Sequence, residues 1–336
     1  MAQDWPAAAR QVVEEVLDPR AGEVDRTGVI PPGNFDALAE RGFYGFVLSE
    51  GMTPDALIDT AATVLGGCLA TGFVWAQHLG ALRAVAFGDN AELRDRLLPE
   101  MREGRYRCGV SYAGARTAPT LFAEPVDGGF ALTGTAPFVT GWGYVDAVAT
   151  SVRLRSGETE SVATLLVPSD TTQGVTAERI PLIAADASAT VRVTYDNAFI
   201  DGSRLVGVKS LGEFTAGRGS LTDWVNGALS LGVLSRCVRQ LHDLGADTAA
   251  YDTQFAALRE RFASAVGDAE ATYALRAEIA QAAVNAAAAG VVAVGSRATA
   301  ADSTPERLMR QATFALVCTT RDPIRNALLA RLAPAG

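Results

Sequence analysis

The chain has 336 residues, 49% apolar and 20% charged, a mixture that excludes a disordered polymer and suffices for a core without disulfides or metal. Acidic residues outnumber basic ones 38 to 29, a net charge of −9, which argues against nucleic-acid and anionic-lipid partners because both select basic surfaces. With two histidines and four scattered cysteines (Cys68, Cys108, Cys237 and Cys318), no metal site or disulfide framework is expected, and free thiols fit a cytoplasmic setting.

The segment Met1 to Glu15 carries Asp4, Glu14 and Glu15 and no compact apolar stretch, so no signal peptide is expected. Helical spacing follows in Val12, Val13, Val16 and Leu17 and returns in Phe35, Leu38, Ala39 and Phe43 after a loop at Pro31-Pro32-Gly33. A third amphipathic helix runs through Leu57, Ile58, Ala61, Ala62 and Leu65. A fourth, through Leu93, Leu97 and Leu98, ends near Gly104. From Arg107 to Val208 the period drops to two. Phe130 to Gly134 follows the turn signal Asp127-Gly128-Gly129, and Val145 to Val152, Ser161 to Val167 and Ala189 to Tyr195 are short β-branched segments. From Phe214 onward long helices are expected over Leu221 to Leu244, Thr253 to about Thr299, and Pro305 to Ala333. The longest apolar run, Ala282 to Val294, contains Asn285 and Gly290 and falls short of a bilayer span, so no membrane segment is expected. The fold class read from this order is α+β: an N-terminal helical domain over 1–106, a middle antiparallel β-barrel or sandwich over 107–210, and a C-terminal helix bundle over 211–336. No GxGxxG follows a strand, which sets aside a dinucleotide-binding alternation, and no solenoid repeat occurs.

Several segments, taken in order, carry a likeness. Thr71 to His78 is an apolar run ending in His, and Leu97-Leu98-Pro99-Glu100-Met101-Arg102-Glu103-Gly104 leads into the strand zone. Asp127 to Gly134 is a hairpin, and Phe138-Val139-Thr140-Gly141 follows it. Pro305-Glu306-Arg307-Leu308-Met309-Arg310 and Arg325 to Arg331 lie near the end. This ordered set resembles the acyl-CoA dehydrogenase family over nearly the whole chain. The resemblance implies FAD between the middle strands and the C-terminal helices, with an acyl thioester, on CoA or on a carrier protein, against the flavin. In that family a carboxylate takes the α-proton while a hydride passes to flavin N5. That chemistry needs donors at the flavin pyrimidine edge, a donor near N5 and a base beside the α-carbon.

The resemblance places Val110 and Ser111 at the pyrimidine edge, where the alternative is a plain strand bearing a serine. It places Thr140 and Gly141 near N5 and Phe138 over the ring, where the alternative is packing. Tyr112 to Thr117 keeps Gly114 but lacks the family's Gly-Ser pair, and Arg116 offers charge to a phosphate in its place. The family's catalytic carboxylate falls on Thr319, whose hydroxyl cannot serve as a base near neutral pH. Asp223 is the fallback base, at a position where the family carries Arg; the alternative is an N-terminal charge on its helix. The Arg-Phe and Gln-Gly-Gly features that reach the adenine half of a neighbouring subunit's FAD are missing around 242–254 and 292–296. Small residues at Gly219, Gly227 and Ala228 leave space for a bulky acyl group or for close helix packing.

Three readings follow. The leading one is a flavoprotein subunit for FAD-dependent α,β-desaturation of an acyl thioester, an oxidoreductase working beside another acyl-CoA dehydrogenase family subunit in a hetero-oligomer. The alternatives are a non-catalytic acyl-thioester-binding module and a self-sufficient, homo-oligomeric dehydrogenase using Asp223. A flavin monooxygenase ranks lowest, because Pro305 to Ala333 contains no His.

Overall fold

The computed structural model describes residues 3–334 except 117, 156–159, 171 and 217–220; the side chains of residues 216, 221 and 222 are likewise outside the description, as are Thr117 and Gly219. Helix α1 (Trp5–Val12) starts where Asp4 accepts the Ala7 N–H and runs through a π-turn at Val13–Leu17 into α2 (Asp18–Thr27). Helix α3 (Pro32–Glu40) and α4 (Pro54–Gly67), the latter capped by Thr53, lead to the buried α5 (Leu69–Ala86) and to α6 (Ala91–Arg102), capped by Asn90.

Eight strands follow: β1 (Cys108–Ser111), β2 (Leu121–Val126), β3 (Gly129–Val139), β4 (Ala147–Leu154), β5 (Ser161–Pro168), β6 (Val175–Arg179), β7 (Val191–Asp201) and β8 (Leu205–Ser210). They form one sheet in the order β6-β7-β3-β2-β4-β5-β8, with β1 paired to β4. The sequence leads one to expect antiparallel pairing throughout. In the structure the sheet is mixed, because β1 and β2 both run parallel to β4. Hairpins such as β2–β3 and β4–β5 stay antiparallel, as short connections require. Strand β1 has a strand neighbour on one side only, and α5 packs against it.

The C-terminal helices are α7 (Leu211–Ala216), α8 (Leu221–Val225), α9 (Ala228–Asp243), α10 (Ala249–Ser264), α11 (Ala269–Val294), α12 (Thr304–Val317) and α13 (Asp322–Leu332). Three stretches that read as continuous are broken, the first between α8 and α9, where the chain turns at Asn226–Gly227. Between α10 and α11 the chain turns at Gly267 (φ +86°), and Asp268 caps the new helix through the Ala271 N–H. Between α12 and α13 it turns at Cys318–Arg321, with Thr319 in the left-handed region at φ +53°. The apolar run expected to stop short of a bilayer's width extends further than its sequence limits: Ala269–Thr299 is long and apolar enough to cross a membrane by length and composition. Here it packs against α9, α12 and α13, burying Ile279, Ala283 and Ala286. The two helical regions meet backbone to backbone where α4 crosses α9. A Cβ added to Gly66 would stand 2.7 Å from the Gly232 carbonyl oxygen, and one added to Gly232 would stand 2.4 Å from that of Ala62.

His78 fixes α5 to β1. Its Nδ1 accepts the Cys108 N–H (3.1 Å), and its ring lies edge-on to Tyr44 with centroids 4.8 Å apart. Its Nε2 is buried, and among the described residues no acceptor meets it with good hydrogen-bond geometry. Burial, reinforced by the nearby Arg107 cation and opposed by the Met101 carbonyl, lowers its pKa to about 3. In the unfolded chain the same imidazole takes a proton near pH 6.5. Below that pH the unfolded state therefore binds more protons, and stability is lost progressively as pH falls towards the folded value. Urea unfolding is expected to show a free energy about 2 kcal/mol lower at pH 5 than at pH 7 from this group. A His78→Gln variant should lose that pH dependence.

Candidate functional site

A cavity of about 160 Å³ lies where α4, α5, β1, the α8–α9 turn and the α12–α13 turn converge. Its apolar wall includes Leu57, Ala61 and Leu65 of α4, Phe73 and Ala76 of α5, and Leu229 of α9. Its polar lining includes Gln77, Arg83, Tyr112, Arg116, Asp223, Asn226, Thr319 and Arg321. Val110, Asp223 and Thr319, singled out in the sequence from three distant segments, thus line one space.

Thr319 sits exposed at the rim. A β-branched residue at positive φ is strained, and a buried cation holds it there. Arg276 of α11 donates from Nη2 to the Thr319 hydroxyl (2.5 Å) and to its carbonyl oxygen (3.1 Å). Arg276 is 4% exposed, and burial lowers its pKa, while the Cys318 thiol and the Asp223 carboxylate act the other way. The Thr319 hydroxyl is therefore held as an acceptor by a cation.

Asp223 of α8 has a side chain 3% exposed, and both of its oxygens are engaged. Oδ1 accepts from Arg321 Nε (3.1 Å) and Nη2 (2.6 Å), and Oδ2 accepts from the Tyr273 hydroxyl (2.9 Å). Arg276 Nη1 reaches the Asp223 carbonyl oxygen at 3.4 Å. These contacts join α8, α11 and the α12–α13 turn into one polar network at the cavity's edge. The sequence does not reveal it, since its members lie on separate helices. The one local sign is Tyr273 and Arg276, three residues apart and so on one face of an otherwise Ala-rich helix.

The remaining sequence candidates lie beside this space. Ser111 is 4% exposed, and its Oγ is buried without a hydrogen-bond partner. Thr140 is also 4% exposed, but its hydroxyl shares a hydrogen bond with that of Thr190 (3.1 Å), which shares another with Ser188 (3.0 Å). Gly141 has φ +89°, and a Cβ there would meet Val74 Cγ1 at 3.2 Å. Its loop touches β1, since a Cβ on Gly109 would lie 3.1 Å from the Thr140 carbonyl oxygen. Phe138, at φ +55°, projects its ring outward and is 65% exposed. Phe138, Thr140 and Gly141 are not part of the cavity wall. Among the described residues no group of His, Cys, Asp and Glu has the geometry of a metal site.

The arrangement has room for a small apolar group, hydrogen-bond donors and cations around it, and one lining carboxylate that is committed to Arg321 and Tyr273. It can bind and orient. Among the described lining residues Asp223 is the one carboxylate, and both of its oxygens are already hydrogen-bonded.

Comparison with known proteins places this geometry. No protein-family model matches the chain. An acryloyl-CoA reductase (NADH) of Anaerotignum propionicum is 28% identical over 151 residues, a match covering 40% of this chain and only 37% of that relative's length. Among solved structures, butyryl-CoA dehydrogenase from Megasphaera elsdenii superposes with a TM-score of 0.84 at 14% identity, covering 98% of this chain and 97% of the other. PigA, solved with FAD and proline, superposes with a TM-score of 0.82 at 17% identity, covering 98% and 96%. The chain has the acyl-CoA dehydrogenase fold.

Proposed function

We propose that the chain is an acyl-CoA dehydrogenase-like flavoprotein subunit that binds an acyl thioester, on CoA or on a carrier protein, and completes a desaturating assembly with another subunit of that family. The fold supports the class, and FAD accompanies that fold in the PigA structure. The residues present suit FAD. Ser111 supplies a buried hydroxyl without a partner on a strand with one open edge, the kind of donor that a flavin carbonyl edge satisfies. Val110 and Ser111 would hold that edge. Phe138 offers an exposed ring, and Thr140 and Gly141 offer main chain, since the Thr140 hydroxyl is taken up by Thr190. When bound, FAD supplies a hydride acceptor.

The observation that carries the partner-subunit reading is the pairing of Thr319 with Arg276 while Asp223 is pinned by Arg321 and Tyr273. Desaturation needs a base to take the α-proton, and such a group is ordinarily worth 10²–10⁴ in rate. The protein's own residues position the acyl group against Val110 and Phe73 but leave that proton in place. Turnover then belongs to the partner's site, with this chain supplying scaffold and a thioester-binding cavity. The same observation also favours a second reading, a thioester-binding module with no turnover in any assembly.

The test is to purify the chain alone, record its flavin absorbance, and follow dye reduction with butyryl-CoA. The expected result is no turnover alone and turnover after co-purification with an acyl-CoA dehydrogenase-like subunit that carries the carboxylate. Turnover by the isolated chain would overturn the reading. Co-elution without turnover would favour the binding module.

A further inference from the structure

The cavity's charge runs against that of the molecule. The chain as a whole is −9, yet three guanidinium groups (Arg83, Arg116 and Arg321) and a single carboxylate, Asp223, line this space among the described residues. Arg321 and Asp223 answer each other. Arg83 and Arg116 bring further positive charge to the same space, and of the two Arg83 has no ion pair among the described residues.

The polarity has a direction. Phe73, Ala76, Gln77, Gly80 and Arg83 follow one another along one face of α5, at steps of three, one, three and three residues. At 1.5 Å per residue this stripe runs about 15 Å, from an aromatic end to a cationic one. At the apolar end Phe73 meets Phe314 edge to face, with centroids 5.4 Å apart. Near the other end Gly80 leaves the space that a side chain would fill, since a Cβ there would stand 3.2 Å from Val110 Cγ1 and 3.5 Å from the Tyr112 hydroxyl.

Two groups at the cationic end have donor capacity that no described residue uses. The Tyr112 hydroxyl makes no hydrogen bond among the described residues. Burial pushes its pKa up to about 12 against the opposing pull of Arg116 and Arg83, so it is a neutral donor at physiological pH. Arg83 makes no ion pair and no hydrogen bond among the described residues; its guanidinium only stands over the Phe87 ring at 5.4 Å. A planar fork beside a phenol donor, at one end of an apolar slot, is complementary to a carboxylate carrying a short hydrocarbon body.

We propose that this cavity binds a short aliphatic carboxylate, its acid end against Arg83, Arg116 and the Tyr112 hydroxyl and its carbon chain along Ala76 and Phe73. The volume of about 160 Å³ is about five times the roughly 30 Å³ that a water occupies in the liquid, so the occupant has about five non-hydrogen atoms in the slot. Such a carboxylate comes from a free short-chain acid or from the far end of a dicarboxylic acyl thioester. In the second case the proposal rests on the acyl-thioester reading given above and names its substrate class.

Isothermal titration calorimetry of the purified full chain separates these possibilities. Butanoate is expected to bind at least tenfold more tightly than butanamide, a near-isosteric neutral probe. Arg83→Met should weaken butanoate at least tenfold and Tyr112→Phe severalfold, with an unchanged melting temperature for both. Succinyl-CoA binding at least tenfold more tightly than butyryl-CoA identifies the dicarboxylic thioester as the source; a preference confined to free butanoate identifies the free acid. Equal affinity for butanoate and butanamide in the unaltered protein overturns the proposal without recourse to any variant. Displacement of butanoate by CoA alone also overturns it, by assigning the arginines to CoA phosphates. Absence of flavin together with failure to bind any CoA thioester would instead sink the flavoprotein reading and leave the butanoate result to decide the carboxylate site.

Discussion

Asp223→Ala is expected to lower the free energy of unfolding by about 3–5 kcal/mol, the usual cost of deleting one partner of a buried ion pair. The carboxylate side chain is 3% exposed, its Arg321 partner 24% exposed, and Arg276 a further buried cation close by. Removing the anion leaves cations that have given up water and lost their compensation, and it strands the Tyr273 hydroxyl as well. Asp223→Asn keeps the shape and one acceptor and should cost less. Urea titration at neutral pH measures both. A loss within 1 kcal/mol for the alanine variant would mean that the network is not structural, and would return Asp223 to consideration as a proton acceptor.

The second large effect concerns rate. In an assembly that binds flavin at this site, Thr319→Glu is expected to raise acyl-CoA dehydrogenation at least tenfold, short of the 10²–10⁴ that a well-placed base contributes. The restraint comes from Arg276, whose guanidinium lies 2.5 Å from the Thr319 hydroxyl and would meet the new carboxylate. A carboxylate paired with a cation is a weaker base. Dye reduction with butyryl-CoA, scored per bound flavin, gives the answer. Unchanged turnover with flavin present would place the acyl α-carbon somewhere other than beside residue 319.

The helix–strand–helix order was legible because the period of the apolar residues changes twice, near Arg107 and again near Phe214. What period cannot carry is partnership. Strand β1 lies parallel to β4 across 35 residues of intervening chain, and nothing within either segment announces the other. Strand β6 leaves no signal in the sequence because it is an edge strand with hardly any buried side chain, so it lacks the alternation that marks a half-buried strand. The turn at Cys318–Arg321 has no glycine, and its proline comes only at Pro323, inside the next helix, so the run looked continuous. Thr319 takes up a conformation that its own side chain disfavours, and the reason is Arg276 on another helix. The site was visible as a set of positions; its chemistry lies in the guanidinium groups that reach those positions from elsewhere.

The glycine contact between α4 and α9 bears on how the molecule is made. Gly66 leaves the ribosome half a chain length ahead of Gly232, so the apolar face of α4 emerges long before its counterpart exists. Closing so long a loop is an entropic burden met late, and until it closes the face of α4 marked by Ala62 and Gly66 lacks its counterpart. During synthesis that face of α4 is therefore exposed to off-pathway contacts until α9 has been made.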